Sequence, residues 1–272
     1  MTADAATTGK PDARQLSLGA LLSAVLVAPL AAHEEVVRLP SLDGAIAPYL
    51  LAYEPAQHYR AAAILFNGGD GKIGLLTRGI PSPGANFLVR SRQRFVANGV
   101  AVALVDVPSD VNGMADDFRA GRRHADDVAN VAADLERRFA GARVFLVGTS
   151  RGTVSAAHVG AALSARVAGV VLSSSVFNAT RGGVGLAGFD YQRIRVPLLL
   201  VHHVEDACHA TPYFAARALA QTYPLVSVKG GKEPKSGPCD PFSPHGFFGK
   251  EAETVQAITQ WMLGQPFATE IE

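Results

Sequence analysis

The stretch RVFLVGTSRGTVSAAHVGAAL, residues 143–163, begins with a run typical of a buried strand and ends with a run typical of a helix. The pattern G-x-S-x-G stands where the two meet, with Ser150 at its centre. In this context the pattern predicts a nucleophile elbow, a tight turn that strains the serine and lifts its hydroxyl above the sheet. The neighbours of such a serine have to be small, which accounts for Gly148 and Gly152. The alternative is an ordinary serine in a glycine-rich turn.

The rest of the chain alternates between strands and helices. Strands are predicted over 34–40, 46–54, 61–67, 100–108, 143–148, 167–174, 196–203 and 224–231, and helices over 86–99, 119–140, 212–223, 250–263 and directly after Ser150. Apolar strands separated by helices predict a mostly parallel, eight-stranded sheet covered on both faces, with an antiparallel pair at its start. Functional groups of such sheets collect at the carboxyl ends of the strands.

Length and charge narrow the class of protein. A chain of 272 residues with 48% hydrophobic residues suits one large α/β domain with a sizeable core. A formal net charge of +1 gives no electrostatic reason to expect nucleic acid or an anionic membrane surface as a partner. The partner that we expect is a small molecule and not a nucleic acid.

The N-terminal segment has the layout of a secretory signal. Lys10 and Arg14 precede an apolar run over 16–32 that ends in small residues and is too short for a comfortable membrane span. We therefore divide the chain into a leader, 1–32, and a catalytic domain, 33–272, and expect a periplasmic or secreted protein. The alternatives are an uncleaved N-terminal helix in a cytoplasmic protein, or a start codon assigned too early.

Two further residues complete a candidate catalytic triad. His245 stands between the last predicted strand and the last predicted helix, where the base follows the acid in the chain order Ser, acid, His. The acid is expected just past the strand 196–203, where Glu205 and Asp206 are adjacent, and we favour Asp206. A carboxylate there would hold the imidazole in the required tautomer. Asp106 is a third candidate for the acid, and His245 could instead be a solvated loop residue.

The segment LFNGGDG, 65–71, supplies glycine-rich backbone at the end of the third strand. We expect the backbone N–H groups of Gly69 and Arg151 to stabilise the oxyanion, with Gly68 as the one-residue-shifted alternative to Gly69. Asn67, Gly68 and Phe177 are candidate substrate contacts. The competing interpretation is a plain turn; no Gly-Lys-Ser/Thr follows to make a phosphate loop.

The two cysteines, Cys208 and Cys239, stand close in sequence to Asp206 and His245. In an exported protein such a pair predicts one disulfide, which would connect the acid loop to the histidine loop. In a cytosolic protein they would be two free thiols. No spacing typical of a metal site is present, so we expect no metal ligands.

Four segments together resemble the α/β-hydrolase superfamily, in particular exported bacterial members: GANFLVRSRQRF (84–95), GTSRGT (148–153), VHHVEDAC (201–208) and HGFFG (245–249). The resemblance covers about residues 34–265. It implies a serine hydrolase without a cofactor and with the triad Ser150, Asp206 and His245. Arg151 departs from the commoner small or hydrophobic residue in the elbow, and its side chain is expected to line the cleft.

The sequence has no insertion large enough for a lid domain. We expect a mobile loop over residues 176–195 and a second loop over residues 72–87 beside an open cleft. Together these features predict an enzyme that cleaves carboxylic esters through an acyl-enzyme. An amidase or peptidase with the same triad is the first alternative, since the machinery is shared. A non-catalytic binding protein on the same fold is the second.

Overall fold

The computed structural model describes residues 1–5, 32–82, 84 and 86–272. Within these residues nine strands form one sheet. The strands are β1 (His33–Pro40), β2 (Ile46–Tyr53), β3 (Ala61–Phe66), β4 (Val100–Val105), β5 (Arg143–Thr149), β6 (Gly169–Ser173), β7 (Leu198–His203), β8 (Leu225–Val228) and β9 (Glu270–Ile271). Their order is β1-β2-β4-β3-β5-β6-β7-β8-β9. β2 pairs antiparallel with β1 and β4, and the other pairs are parallel.

Helices cover both faces of this sheet, as the sequence predicts. They are α1 (Leu75–Arg78), α2 (Phe87–Ala97), α3 (Asp116–Ala120), α4 (Arg122–Arg138), α5 (Gly152–Ala162), α6 (Tyr213–Leu219) and α7 (Glu251–Leu263). α2 and α7 pack on one face, and α4 and α5 on the other. Side chains of β3 alternate between the two cores, with Leu65 in the first and Ile64 in the second, because successive side chains of a strand point to opposite faces.

The structure differs from the sequence expectation in three details. The segment 72–87, expected to be a loop, contains the short helix α1. The sheet has nine strands rather than eight, because Glu270–Ile271 returns beside β8 in a strand too short to show a pattern. The helix expected over 119–140 is two helices, because Gly121 adopts an extended conformation (φ −77°, ψ 157°) between α3 and α4.

The connection from β6 to β7 contains no lid domain. Its only helical turn in the described chain is the 3-10 turn Tyr191–Arg193. None of the helices described is long and apolar enough to cross a membrane. The residues from Ala32 onward belong to one compact unit. The predicted leader lies almost entirely in 6–31, outside the described residues, so its boundary at residue 32 stays a prediction.

Candidate active site

Ser150 stands at the tip of a sharp turn between β5 and α5. Its φ of 52° lies in the left-handed region, which a residue with a side chain adopts only when its surroundings enforce it. The N–H of Ser150 donates to Ser173 O at 3.0 Å, and the N–H of Thr153 donates to Ser150 O at 2.9 Å. The Ser150 hydroxyl makes no hydrogen bond with another described residue. The turn is therefore fixed by its backbone, and the side chain is left for a ligand.

Glycines around Ser150 are required by close backbone contacts. A Cβ on Gly152 would lie 2.0 Å from Phe66 O, and one on Gly148 would lie 2.4 Å from Gly152 O. A Cβ on Gly68 would lie 2.9 Å from Ser150 Cβ and 3.4 Å from Ser150 Oγ. The loop after β3 therefore rests directly against the serine.

His245 is oriented by Asp206. Its Nδ1 lies 3.0 Å from Asp206 Oδ2, and both side chains are buried. The second oxygen of the carboxylate accepts from the backbone N–H of Cys208 at 2.9 Å, and Thr211 Oγ1 donates to Oδ2 at 2.8 Å. Ser174 Oγ donates to the carbonyl oxygen of His245 at 2.8 Å. Since Nδ1 faces the acid, Nε2 at the far side of the ring is the nitrogen left to act as a base.

Ser150 and His245 line one cavity of about 260 Å³, which we call the Ser150 cavity. Asn67, Gly68 and Gly69, all singled out from the sequence, also line it. No hydrogen bond joins Ser150 to His245 among the residues described. Such bonds are often long in ligand-free enzymes and shorten in the substrate complex. The arrangement can therefore support attack by Ser150 on a bound acyl group with His245 as proton acceptor.

The other two candidates for the acid, Glu205 and Asp106, do not form a hydrogen bond with His245. Glu205 is exposed, and no hydrogen bond joins its carboxylate to another described residue. Asp106 is buried, and its carboxylate accepts four backbone N–H groups, those of Ile73, Gly74, Leu75 and Val107, at 2.7–2.8 Å. Asp106 therefore fixes the start of the loop over 72–87, and no hydrogen bond joins it to His245.

The backbone N–H groups predicted to receive the oxyanion are not used elsewhere in the described chain. Those of Gly68, Gly69 and Arg151 donate to no other described residue. Gly69 has a φ of 61°, and Arg151 immediately precedes α5, so its N–H lies at the positive end of a helix. Gly68 and Gly69 are equally available, and the pairing of Gly69 with Arg151 stays a prediction.

A buried arginine, not among the residues predicted from the sequence, supports the loop that carries Asn67, Gly68 and Gly69. Arg119 is fully buried, and its Nη2 donates to the carbonyl oxygens of Gly69 at 3.2 Å and Asn67 at 3.5 Å. Its other donors reach Met114 O at 3.1 Å and Ser155 Oγ at 2.9 Å. Burial lowers the pKa of Arg119 to about 9, which leaves it charged at neutral pH. An arginine in a polar helical stretch normally faces water, so the sequence held no signal for this role.

The Arg151 side chain does not line the Ser150 cavity, and the expectation that it does is wrong. Its Nη2 lies 3.0 Å from Asp116 Oδ1 and donates to Gly182 O at 3.1 Å. The N–H of Gly185 donates to the other oxygen of Asp116 at 2.8 Å. Arg151 and Asp116 therefore bond to the loop over 176–195, for which the sequence predicted a mobile conformation.

Phe177 is likewise absent from the lining of the Ser150 cavity. It stacks on His202, with ring centroids 5.6 Å apart and planes inclined by 28°. His202 is buried, and its Nε2 accepts from the N–H of Ser175 at 2.7 Å. Burial lowers the pKa of His202 to about 4, so the ring is neutral at physiological pH. Phe177 therefore packs against His202 and does not line the Ser150 cavity, where the sequence predicted a substrate contact.

The predicted disulfide is present between Cys208 and Cys239, which are 31 positions apart in sequence. It connects the loop of Asp206 to the segment that leads to His245, and Cys239 borders the Ser150 cavity. His209 lies within 4.8 Å of both sulfurs, an arrangement that could suit a metal ion if the thiols were reduced. Sulfurs joined in a disulfide are not thiolates, which are the form of cysteine that binds metals.

No protein-family model and no curated protein matches the chain. Solved structures do. A cold-adapted esterase from an Arctic intertidal metagenomic library is 16% identical, with a TM-score of 0.53 over 74% of this chain and 86% of that one. An α/β serine hydrolase without a lid from Xanthomonas campestris is 15% identical, with a TM-score of 0.57 over 85% and 94%. Est1E from Butyrivibrio proteoclasticus is 13% identical, with a TM-score of 0.58 over 85% and 100%. Likeness at such identities shows a shared fold.

Proposed function

Because the chain has the α/β-hydrolase fold, we propose that it is a serine hydrolase that cleaves carboxylic esters. One observation carries the proposal: the strained Ser150 and the imidazole of His245, oriented by Asp206, face the same cavity. One of the similar solved structures, that from the Arctic metagenomic library, is named an esterase, which supports the ester as the bond attacked. The small cavity and the absence of a lid domain in the described chain suit small or extended esters.

The geometry supports a two-step reaction. Ser150 Oγ attacks the ester carbonyl as His245 Nε2 takes its proton, and Asp206 stabilises the imidazolium that forms. The N–H groups of Gly69 and Arg151 donate to the oxyanion of the tetrahedral intermediate. His245 then passes the proton to the leaving alcohol, and Ser150 retains the acyl group. A water molecule, deprotonated by His245, attacks the acyl-enzyme and regenerates Ser150.

Export remains part of the proposal. A disulfide persists in oxidising compartments such as the periplasm or the extracellular space, and the leader-like segment predicts the same destination. The two alternatives are an amidase or peptidase with the same triad, and a binding protein without catalysis.

Labelling by a fluorophosphonate, followed by assays on matched 4-nitrophenyl esters and 4-nitroanilides, tests the proposal. We expect Ser150 to be labelled and esters to be cleaved, and Ser150→Ala to abolish both, with kcat lower by about 10⁴-fold or more. Ser164→Ala is the matched control, because Ser164 lies beyond the opposite end of α5, and should behave as wild type. Absence of Ser150-dependent labelling supports the binding protein, and faster cleavage of anilides than of esters supports the amidase.

A further inference from the structure

A second cavity, of about 650 Å³, adjoins the Ser150 cavity. We call it the Arg78 cavity; it lies between the loop over 72–82 and the N-terminal end of α2. Asn67, Lys72 and Asn86 line both cavities, so the two share a border. A substrate whose carbonyl lies at Ser150 can therefore extend into the Arg78 cavity.

The charged residues that line the Arg78 cavity in the described chain, Lys72 and Arg78, are both cations. Arg78 is held in place, because its Nη2 donates to Ile73 O at 2.6 Å. Its guanidinium lies close against Gly74, where a Cβ would come within 2.6 Å of Nε. Its Nε and Nη1 have no hydrogen-bond partner among the described residues. Lys72 Nζ donates to the neutral Asn112 Oδ1 at 3.1 Å. Neither cation forms a salt bridge with a described carboxylate, which leaves both available to an anion.

The N-terminal end of α2 adds further positive potential at the border of the two cavities. Asn86 caps this helix of eleven residues, and its Oδ1 accepts from the N–H of Leu88 at 3.0 Å. The N–H groups of Phe87 and Val89 donate to no described residue, and these residues line the Ser150 cavity and the Arg78 cavity respectively. Unpaired N–H groups at the start of a helix favour a negative group.

An unpaired buried amide provides an independent indication of a ligand. Asn67 is 6% exposed, its Oδ1 is fully buried without a partner, and its side chain makes no hydrogen bond with a described residue. Buried amides are rarely left unpaired, because the lost hydrogen bonds with water are not replaced. Asn67 lines both cavities, and its Nδ2 is a donor that is bonded to no described residue, so it can donate to a carboxylate bound at their border.

The charges of the Ser150 cavity differ from those of its neighbour. Asp70 and Asp240 line the Ser150 cavity, together with the shared Lys72, whereas no acidic residue of the described chain lines the Arg78 cavity. An anionic group on a substrate is therefore less favoured beside Ser150 than beside Arg78. We propose that the Arg78 cavity binds a carboxylate carried by the ester substrate, an inference that rests on the proposed hydrolase function.

Matched pairs of esters test this inference on both sides of the ester bond. For the acyl side, mono-4-nitrophenyl glutarate is compared with its neutral methyl ester. For the alcohol side, 4-acetoxybenzoate is compared with methyl 4-acetoxybenzoate. We expect wild type to prefer the charged member of at least one pair in kcat/KM by about fivefold to tenfold, a modest factor because exposed cations are screened by solvent.

Charge reversal at Arg78 is the decisive variant. Arg78→Glu should lower kcat/KM for the preferred charged ester by more than tenfold and leave the neutral ester within twofold, while Arg78→Lys should retain the preference in part. Arg122→Gln is the control, because Arg122 is a 93% exposed cation on α4 and should change neither rate. Equal rates on charged and neutral esters in wild type, or a preference that survives Arg78→Glu, would overturn the inference and leave the esterase proposal standing.

A binding measurement separates this inference from the proposed catalysis. Glutarate should give a saturation-transfer NMR signal with the Ser150→Ala protein that is lost when Arg78→Glu is added. If no ester is cleaved, the esterase proposal fails, and this measurement alone decides the carboxylate site. The proposed carboxylate site is overturned if the Ser150→Ala protein gives no signal, or if Arg78→Glu leaves the signal unchanged.

Discussion

The two sides of the Ser150 cavity are held in place by different means. On the histidine side, side chains bond to side chains: Asp206 contacts His245 and Thr211, and a disulfide follows two residues later at Cys208. On the oxyanion side the functional groups are backbone N–H groups, and the carbonyls on that loop bond to the buried guanidinium of Arg119. The histidine side is fixed by a covalent cross-link, and the oxyanion side by hydrogen bonds from the buried guanidinium of Arg119.

The difference follows from the kind of group that each side presents. Asp206 and His245 come from loops 39 positions apart, so their side chains meet only if the two loops are held together. An amide N–H needs no side chain, because the peptide unit is planar and the direction of one carbonyl sets the direction of the next N–H. Arg119 binds the carbonyl of Asn67, which sets the direction of the N–H of Gly68, and the carbonyl of Gly69. The peptide that carries the N–H of Gly69 lies between these two held peptides.

Removing the charge of Asp206 should have the largest effect. In Asp206→Asn the amide no longer stabilises the imidazolium and favours the wrong tautomer of His245, so we expect kcat for a neutral ester to fall by about 10⁴-fold with little change in KM. Steady-state kinetics measure this. Glu205→Gln is the matched control, since Glu205 is the adjacent, exposed carboxylate, and it should retain wild-type kcat. A larger loss in Glu205→Gln than in Asp206→Asn would reassign the acid.

Opening the disulfide should weaken the fold more than the chemistry. For Cys208→Ser combined with Cys239→Ser, a loop closed across 31 positions predicts a loss of about 3–4 kcal/mol in the free energy of unfolding. Because Asp206 keeps its hydrogen bonds to Thr211 and to the N–H of residue 208, kcat at 25 °C should fall by less than about tenfold. Urea denaturation and kinetics on the same samples separate the two. Unchanged stability would show that the cross-link does not constrain the unfolded chain.

Arg119 should act on the transition state more than on the ground state. Arg119→Met removes the support of the Asn67 and Gly69 carbonyls, and misplacing one oxyanion donor costs about 10²-fold in kcat. A boronic acid that mimics the tetrahedral intermediate should lose affinity in parallel with kcat, while KM changes little. Arg119→Lys, which keeps the charge without the planar fork, should fall between wild type and Arg119→Met. Equal losses in boronate affinity and substrate affinity would indicate general unfolding of the loop instead.

The sequence was most informative where local pattern and function coincide. The elbow around Ser150 and the apolar strands were readable because a tight strand-to-helix turn demands glycine and because strands buried on both faces are uniformly apolar. The roles of Arg119 and Arg151 were not readable, since they depend on which residues the fold brings beside each guanidinium. The same limit applies to Phe177, whose place against His202 follows from tertiary packing.

Acid should destabilise the protein through a histidine on the oxyanion side. His124 is buried between the rings of Phe66 and Phe118, and burial lowers its pKa to about 3. In the unfolded chain its pKa is about 6.5. Above pH 6.5 the ring is neutral in both states and does not lower the free energy of unfolding. As the pH falls from 6.5 toward 3, only the unfolded chain binds the proton, so the free energy of unfolding falls progressively. Between pH 8 and pH 5 this loss amounts to about 2 kcal/mol, because the unfolded state binds the proton and the folded state does not.

His124→Phe should remove that part of the pH dependence, because phenylalanine fills the same apolar site and does not titrate. Urea denaturation at several pH values should show a loss between pH 8 and pH 5 that is smaller by about 2 kcal/mol in His124→Phe than in wild type. The exposed His58 provides the control, since His58→Gln should leave the slope unchanged. If His124→Phe keeps the wild-type slope, the acid-sensitive group lies elsewhere, and buried His202 on the other side of the cavity becomes the first residue to replace.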